Sequence, residues 1–98
     1  MQIGYCTWSA MRVPIEELLP AIADIGYTGI ELAVTPRFHT ELYSLDAAAR
    51  ERIADLLKEH DLTLAAVAGH MTVCEEDPEK HATNMQRLRD TIDLADEL

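Results

Sequence analysis

The stretch Ile25-Gly26-Tyr27-Thr28-Gly29-Ile30-Glu31-Leu32-Ala33-Val34 decides how this chain is read. Gly26 is placed to end a helix, because a residue just past a helix terminus often takes the left-handed conformation that glycine adopts without a Cβ penalty. Gly29 then opens a run through Val34 with the length and composition of a buried strand. A helix therefore feeds directly into a strand, which is half of a βαβ unit. One residue is out of place in that apolar run: Glu31 is expensive to bury without a partner, a ligand or solvent.

Upstream, Pro14 suits the first turn of a helix whose Ile15, Leu18, Leu19, Ile22 and Ile25 recur at helical spacing. Pro20 within it removes one backbone bond, so the helix is expected either to bend or to start late. Met1 to Cys6 reads as a first strand and Thr7 to Ala10 as the loop after it. Downstream, Thr35 to Tyr43, with Pro36, Phe38 and His39, exceeds the usual connection length, as functional loops and disordered loops both do. Ser44 is the expected cap of a second helix, with Leu45, Ala49, Ile53, Leu56 and Leu57 on one side and Arg50, Glu51, Asp55, Lys58 and Glu59 on the other. Leu62 to His70 reads as a third strand. Asp77-Pro78 then caps and starts a third helix, with Met85, Leu88, Ile92 and Ala95 at helical spacing.

The order is βαβαβα with a period of about 30 residues, the signature of parallel strands joined by helical crossovers. Such crossovers are right-handed, so the three helices are expected on one face of a three-stranded sheet. Strand alternation separates an apolar set (Ile3, Tyr5, Ile30, Leu32, Ala65, Val67) from a small or polar set (Gly4, Cys6, Trp8; Gly29, Glu31, Ala33; Ala66, Ala68, His70). A doubly wound sheet would be apolar on both faces. A parallel barrel carries bulky residues outward and polar groups toward its catalytic mouth, so the fold class is α/β, the first part of a TIM (β/α)8 barrel.

Composition sets the outer limits. Ninety-eight residues, 48% hydrophobic and 27% charged, fit one packed domain spanning 1–98. No apolar run is long enough to span a membrane and the start lacks a basic n-region, which predicts a soluble cytoplasmic protein with no membrane partner. A net charge of −10 with scattered basic residues disfavours nucleic acid. Cys6 and Cys74 make no disulfide framework or C-x-x-C pair, and the histidines show no local metal-ligand spacing.

Three residues stand out as substrate-binding candidates, each with a plainer alternative. Glu31 contacts substrate or is a paired structural carboxylate; His70 contacts substrate or is a neutral imidazole bonded to a backbone carbonyl; Trp8 lines a pocket or is simple hydrophobic wall. His39, His60 and His81 are expected in solvent, and Glu75-Glu76-Asp77 as an acidic run before a helix N-terminus.

Ile3-Gly4 with Trp8-Ser9, the stretch Ile25 to Leu32, and Ala68-Gly69-His70 together resemble the N-terminal portion of the xylose isomerase-like TIM barrels, and more narrowly the bacterial sugar phosphate isomerases and epimerases. The resemblance implies metal-dependent aldose–ketose isomerisation or epimerisation of a small sugar or sugar phosphate, through an enediolate. It implies a divalent ion (Mn, Mg, Co or Zn) held in the full-length parent by Glu, Asp, His and Glu on later strands, none of them assignable here, so neither metal ligands nor catalytic residues are named in this chain. By the same resemblance Glu31 and His70 face the sugar and Trp8 walls it. The related AP endonucleases use a strand 3 histidine as a metal ligand, which would make His70 a ligand in a longer parent. Three of eight units and a helical pattern still running at Leu98 lead to the expectation of an N-terminal fragment, an incomplete domain inactive alone, without tightly bound metal and self-associating through exposed strand edges. The rival readings are a non-catalytic self-associating module and a metal-dependent phosphodiesterase of the AP-endonuclease kind.

Overall fold

The computed structural model describes all of residues 1–98. Strands β1 (Gly4–Cys6), β2 (Gly29–Ala33) and β3 (Thr63–Ala68) alternate with helices α1 (Ile15–Ile25), α2 (Ala47–Glu59) and α3 (Pro78–Glu97), and short 3₁₀ turns lie at Thr7–Ala10 and Leu42–Ser44. The sheet has the order β1-β2-β3 and both pairings are parallel. Fourteen buried side chains form one continuous core, drawn from α1 (Leu18, Leu19, Ile22), β2 (Ile30, Leu32), α2 (Ile53, Leu56, Leu57) and α3 (Leu94) with their connections. A single core of that membership places the helices on one face, as the alternation of Ile30 and Leu32 with Glu31 requires. No helix is long and apolar enough to cross a membrane.

Local chemistry explains the boundaries. Gly26 sits at φ 110° and its N–H reaches the carbonyls of Ala23 and Ile22, ending α1. That helix begins at Ile15 and runs through Pro20 rather than starting after it. Asp46, and not Ser44, caps α2, accepting from the Ala49 N–H at 2.8 Å, while Ser44 lies in the preceding turn. Asp77 caps α3 as expected, with Pro78 at the first helical position.

Four expectations fail in instructive ways. The third strand ends at Ala68, so His70 lies beyond it with φ 37°. A register shift sets Ile30 opposite Leu64 but Glu31 opposite Ala66, leaving Ala65 as the extra residue of a bulge. Leu64 and Val67 consequently both pack against the core, and Ala65 is exposed. On α3 the buried face is Thr91 and Leu94, flanked by Arg87 and Leu98, whereas Leu88 is 37% and Ile92 59% exposed. Ile25, expected in the core, is likewise 74% exposed.

Arg87 explains the rotation of α3. Its guanidinium donates to the Val34 carbonyl at 2.7 Å and to Glu41 Oε1 at 2.6 Å, and it lies 5.0 Å from the centre of the Tyr43 ring. Tyr43 in turn donates to Asp90 at 2.7 Å. Both members of the Arg87–Glu41 pair are largely shielded, with side-chain exposures of 13% and 17%. Gly69 permits the close approach, since a Cβ there would lie 3.1 Å from Thr91 Oγ1.

Removing one partner of a shielded pair strands the other charge, so Arg87→Ala should lose about 3 kcal/mol in urea denaturation. Burial by itself would raise the pKa of Glu41, but hydrogen bonds from Arg87, Ser44 and the Tyr43 N–H and the charge of Arg87 outweigh it and hold the carboxyl below its ordinary value. Its folded-state value being depressed, the stability it contributes is present above the unfolded carboxylate value and disappears as pH falls through the folded one. Glu41→Gln should therefore flatten the acid limb of stability against pH. An acid limb unchanged by that substitution would rule the clamp out.

Candidate functional site

The site is built where β2 ends. The Ala33 N–H donates to Thr7 Oγ1 at 2.8 Å, and Thr40 Oγ1 donates to the Ala33 carbonyl at 2.6 Å, all of them buried. These bonds satisfy the end of the central strand from two different loops and hold those loops together. Trp8, next to Thr7, and Phe38, two residues before Thr40, then stack with ring centres 5.0 Å apart. His70 closes the series, 4.4 Å from Trp8. The three rings come from the connections after β1, β2 and β3, so the ladder Phe38–Trp8–His70 ties together all three loops at the C-terminal end of the sheet. That is the end at which parallel α/β folds bind their ligands.

Below the ladder, on the face away from the helices, Cys6 and Glu31 are opposed across the β1–β2 pairing. The Cys6 thiol donates to Glu31 Oε1 at 3.0 Å. Glu31 is the central residue of its five-residue strand and half-buried, so its charge is compensated by one hydrogen bond and by solvent. Burial, followed by the hydrogen bond to Glu31 and the repulsion of its charge, pushes the Cys6 thiol above its ordinary value, against a smaller lowering from the Trp8 backbone. Cys6 is accordingly a neutral donor at physiological pH, not a nucleophile.

Glu31, His70 and Trp8, the three residues singled out from the sequence, line one cleft of about 550 Å³ together with Cys6, Ser9 and Tyr27. That volume suits a small organic ligand. His39, His60 and His81 lie elsewhere, and no group of three or more His, Cys, Asp or Glu side chains converges to hold a metal ion. Cys6 and Phe38 were not picked out as site residues. A signal for Cys6 was present, since strand alternation puts it on the face of Glu31; for Phe38 there was none, because only the fold of the long loop brings it to Trp8.

A family model described as xylose isomerase-like TIM barrel matches residues 19–98. No curated protein matches the sequence.

Glu31→Gln removes the charge that opposes ionisation of Cys6 while keeping an acceptor. Alkylation of Cys6 by iodoacetamide, followed by mass spectrometry across a pH series, should become several-fold faster near neutrality in that variant, its midpoint moving down. An unmoved midpoint would show that the two side chains are not coupled.

Proposed function

Because the chain belongs to the xylose isomerase-like TIM barrel family, we propose that residues 1–98 are three of the eight βα units of a sugar isomerase or epimerase barrel and form one wall of its substrate site. The observation that carries this reading is the convergence of Glu31, Cys6, Trp8 and His70 on one cleft at the C-terminal end of a parallel sheet. The cleft has the chemistry a sugar needs. Glu31 accepts hydrogen bonds from hydroxyls, with Oε1 oriented by the thiol and Oε2 left for the ligand. The exposed face of Trp8, 48% accessible, meets the apolar C–H face of a ring, and His70, held against it, donates or accepts at the rim.

A divalent ion of the kind such isomerases use does not fit these residues: Glu31 and His70 are two ligands at most, and Glu31 is already engaged by a thiol that stays protonated. The role left to these side chains is to bind and orient the sugar. DNA is the poorer substrate class, since a net charge of −10 repels a phosphate backbone.

A second reading, a self-associating module, is favoured by the two flanks of the sheet. Ile3, Ile25 and Tyr27 surround an open groove of about 220 Å³ beside β1, and Val67, Val73, Leu88 and Ile92 surround one of about 310 Å³ beside β3. Both flanks also carry an unpaired strand edge. A second copy sets its β1 flank against the β3 flank of the first, a head-to-tail contact.

Two measurements separate these readings. The single tryptophan reports on the cleft: titration of the chain with a ketohexose should change its fluorescence, and Glu31→Gln should weaken the apparent affinity about tenfold, the range of a hydrogen bond to a charged acceptor. Equal affinity in both proteins would sink the sugar reading. In sedimentation, the unsubstituted chain at tens of micromolar should self-associate, and Ile25→Lys or Ile92→Lys, each removing from every copy one of the two flanks that a head-to-tail contact needs, should each be monomeric. An equimolar mixture of the two variants should still form a heterodimer through the one pair of flanks left intact; a monomeric mixture would exclude head-to-tail pairing.

A further inference from the structure

His70 has a cleft on either side. Beyond the one that contains Glu31, a second opening of about 560 Å³ lies between the loop after β3 and the first half of α3, with His70 as a shared wall. Its lining is almost entirely polar, in contrast to the first cleft. Thr72, Thr83 and Asn84 present hydroxyl and amide groups, and Asn84 Nδ2 donates to the Thr72 carbonyl at 2.8 Å, which orients its side-chain oxygen for another partner.

The charges in this opening are already balanced. Lys80 and Arg87 face Glu75 and Glu79, and Arg87 is neutralised by Glu41 at 2.6 Å. The start of α3 would attract an anion if its N–H groups were free. They are not: the Asp77 carboxylate accepts from the Glu79 N–H at 2.9 Å and the Lys80 N–H at 3.3 Å, and Glu75 accepts from the Asp77 N–H at 3.2 Å. A phosphate entering here meets Lys80 as the one cation outside an ion pair, against the two carboxylates of Glu75 and Glu79, on a chain whose net charge is −10.

We propose that this second cleft holds the remote half of the sugar, and that it selects a neutral polyhydroxylated group, a second ring or an open polyol chain, over a phosphate ester. The proposal rests on the sugar reading of the first cleft and adds the substrate class to it. The ligand straddles His70, with one end beside Glu31 and the other among the hydroxyl and amide groups of α3. Each opening alone lies within the range of about 300–1,000 Å³ typical of small-molecule sites, so the pair accommodates more than one ring.

The test titrates the whole 98-residue chain with fructose, fructose 6-phosphate and the neutral disaccharide lactulose, read by tryptophan fluorescence and by the amide and side-chain NMR shifts of Asn84 and Thr83. Lactulose should bind more tightly than fructose and should alone shift Asn84. Fructose 6-phosphate should bind about threefold or more weakly than fructose at low salt, with the gap closing as salt screens the carboxylates. The double variant Glu75→Gln, Glu79→Gln should raise the affinity for the phosphate ester relative to that for fructose. Tighter binding of the phosphate than of the free sugar, or no response of Asn84 to lactulose, would overturn the proposal and leave the first cleft as a sugar site. Absence of binding by any of the three would overturn both.

Discussion

Ala33 ends β2 with its N–H held by Thr7 and its carbonyl held by Thr40. Parallel strands finish with unpaired groups that water cannot easily reach beneath folded loops, and leaving them unmet would cost about 1–3 kcal/mol each. Two threonine hydroxyls meet that need here. In doing so they fix the loops after β1 and β2 relative to the strand, and everything at this end of the sheet is positioned from those loops. Trp8 follows Thr7 and Phe38 precedes Thr40, so their stacking follows from hydrogen bonds made one and two residues away.

His70 is the third member of that arrangement and is held differently. Its φ of 37° is uncommon for a residue with a Cβ, a conformation that costs on the order of 1–3 kcal/mol and persists where surroundings impose it. Gly69 before it allows α3 to approach through Thr91, and Trp8 receives the imidazole on its other side. The backbone turn after β3 therefore sends the ring back over the sheet, between two clefts of different chemistry. One is walled by aromatics, a carboxylate and a protonated thiol; the other by hydroxyls, an amide and balanced charges.

Much of this was legible beforehand, for a physical reason that can be stated residue by residue. Strand alternation alone puts Cys6 and Glu31 opposite Ile30 and Leu32, and Glu31 has no place in a core, so the open face and its polar centre follow from a period of two. The left-handed stop at Gly26 and the Asp77-Pro78 start are local backbone chemistry and were equally readable. The bulge at Ala65 was not. It inserts one residue whose neighbours look no different from it, and its effect, turning Leu64 and Val67 to the same side, appears only when β3 is laid against β2. The cap of α2 also moved, from Ser44 to Asp46, because Glu41 claims the Ser44 N–H and hydroxyl for the turn before the helix.

Helix α3 marks the boundary between the two kinds of information. Met85, Leu88, Ile92 and Ala95 form the more apolar stripe, and hydrophobic periodicity alone turns it inward. The folded helix is rotated by about one residue, about 100° of helical turn, so that Arg87, Thr91, Leu94 and Leu98 face the sheet. Arg87 decides it, because its bonds to Val34 and Glu41 join residues 53 and 46 positions apart. The sequence by itself determined the order of elements, the parallel sheet and the polar face carrying Glu31, since those depend on periods of two and 3.6 and on single-residue stops and starts. Which face of α3 is buried, which loops meet over β2 and where His70 points were decided only in the tertiary structure, because each depends on hydrogen bonds and ring contacts between residues far apart in the chain.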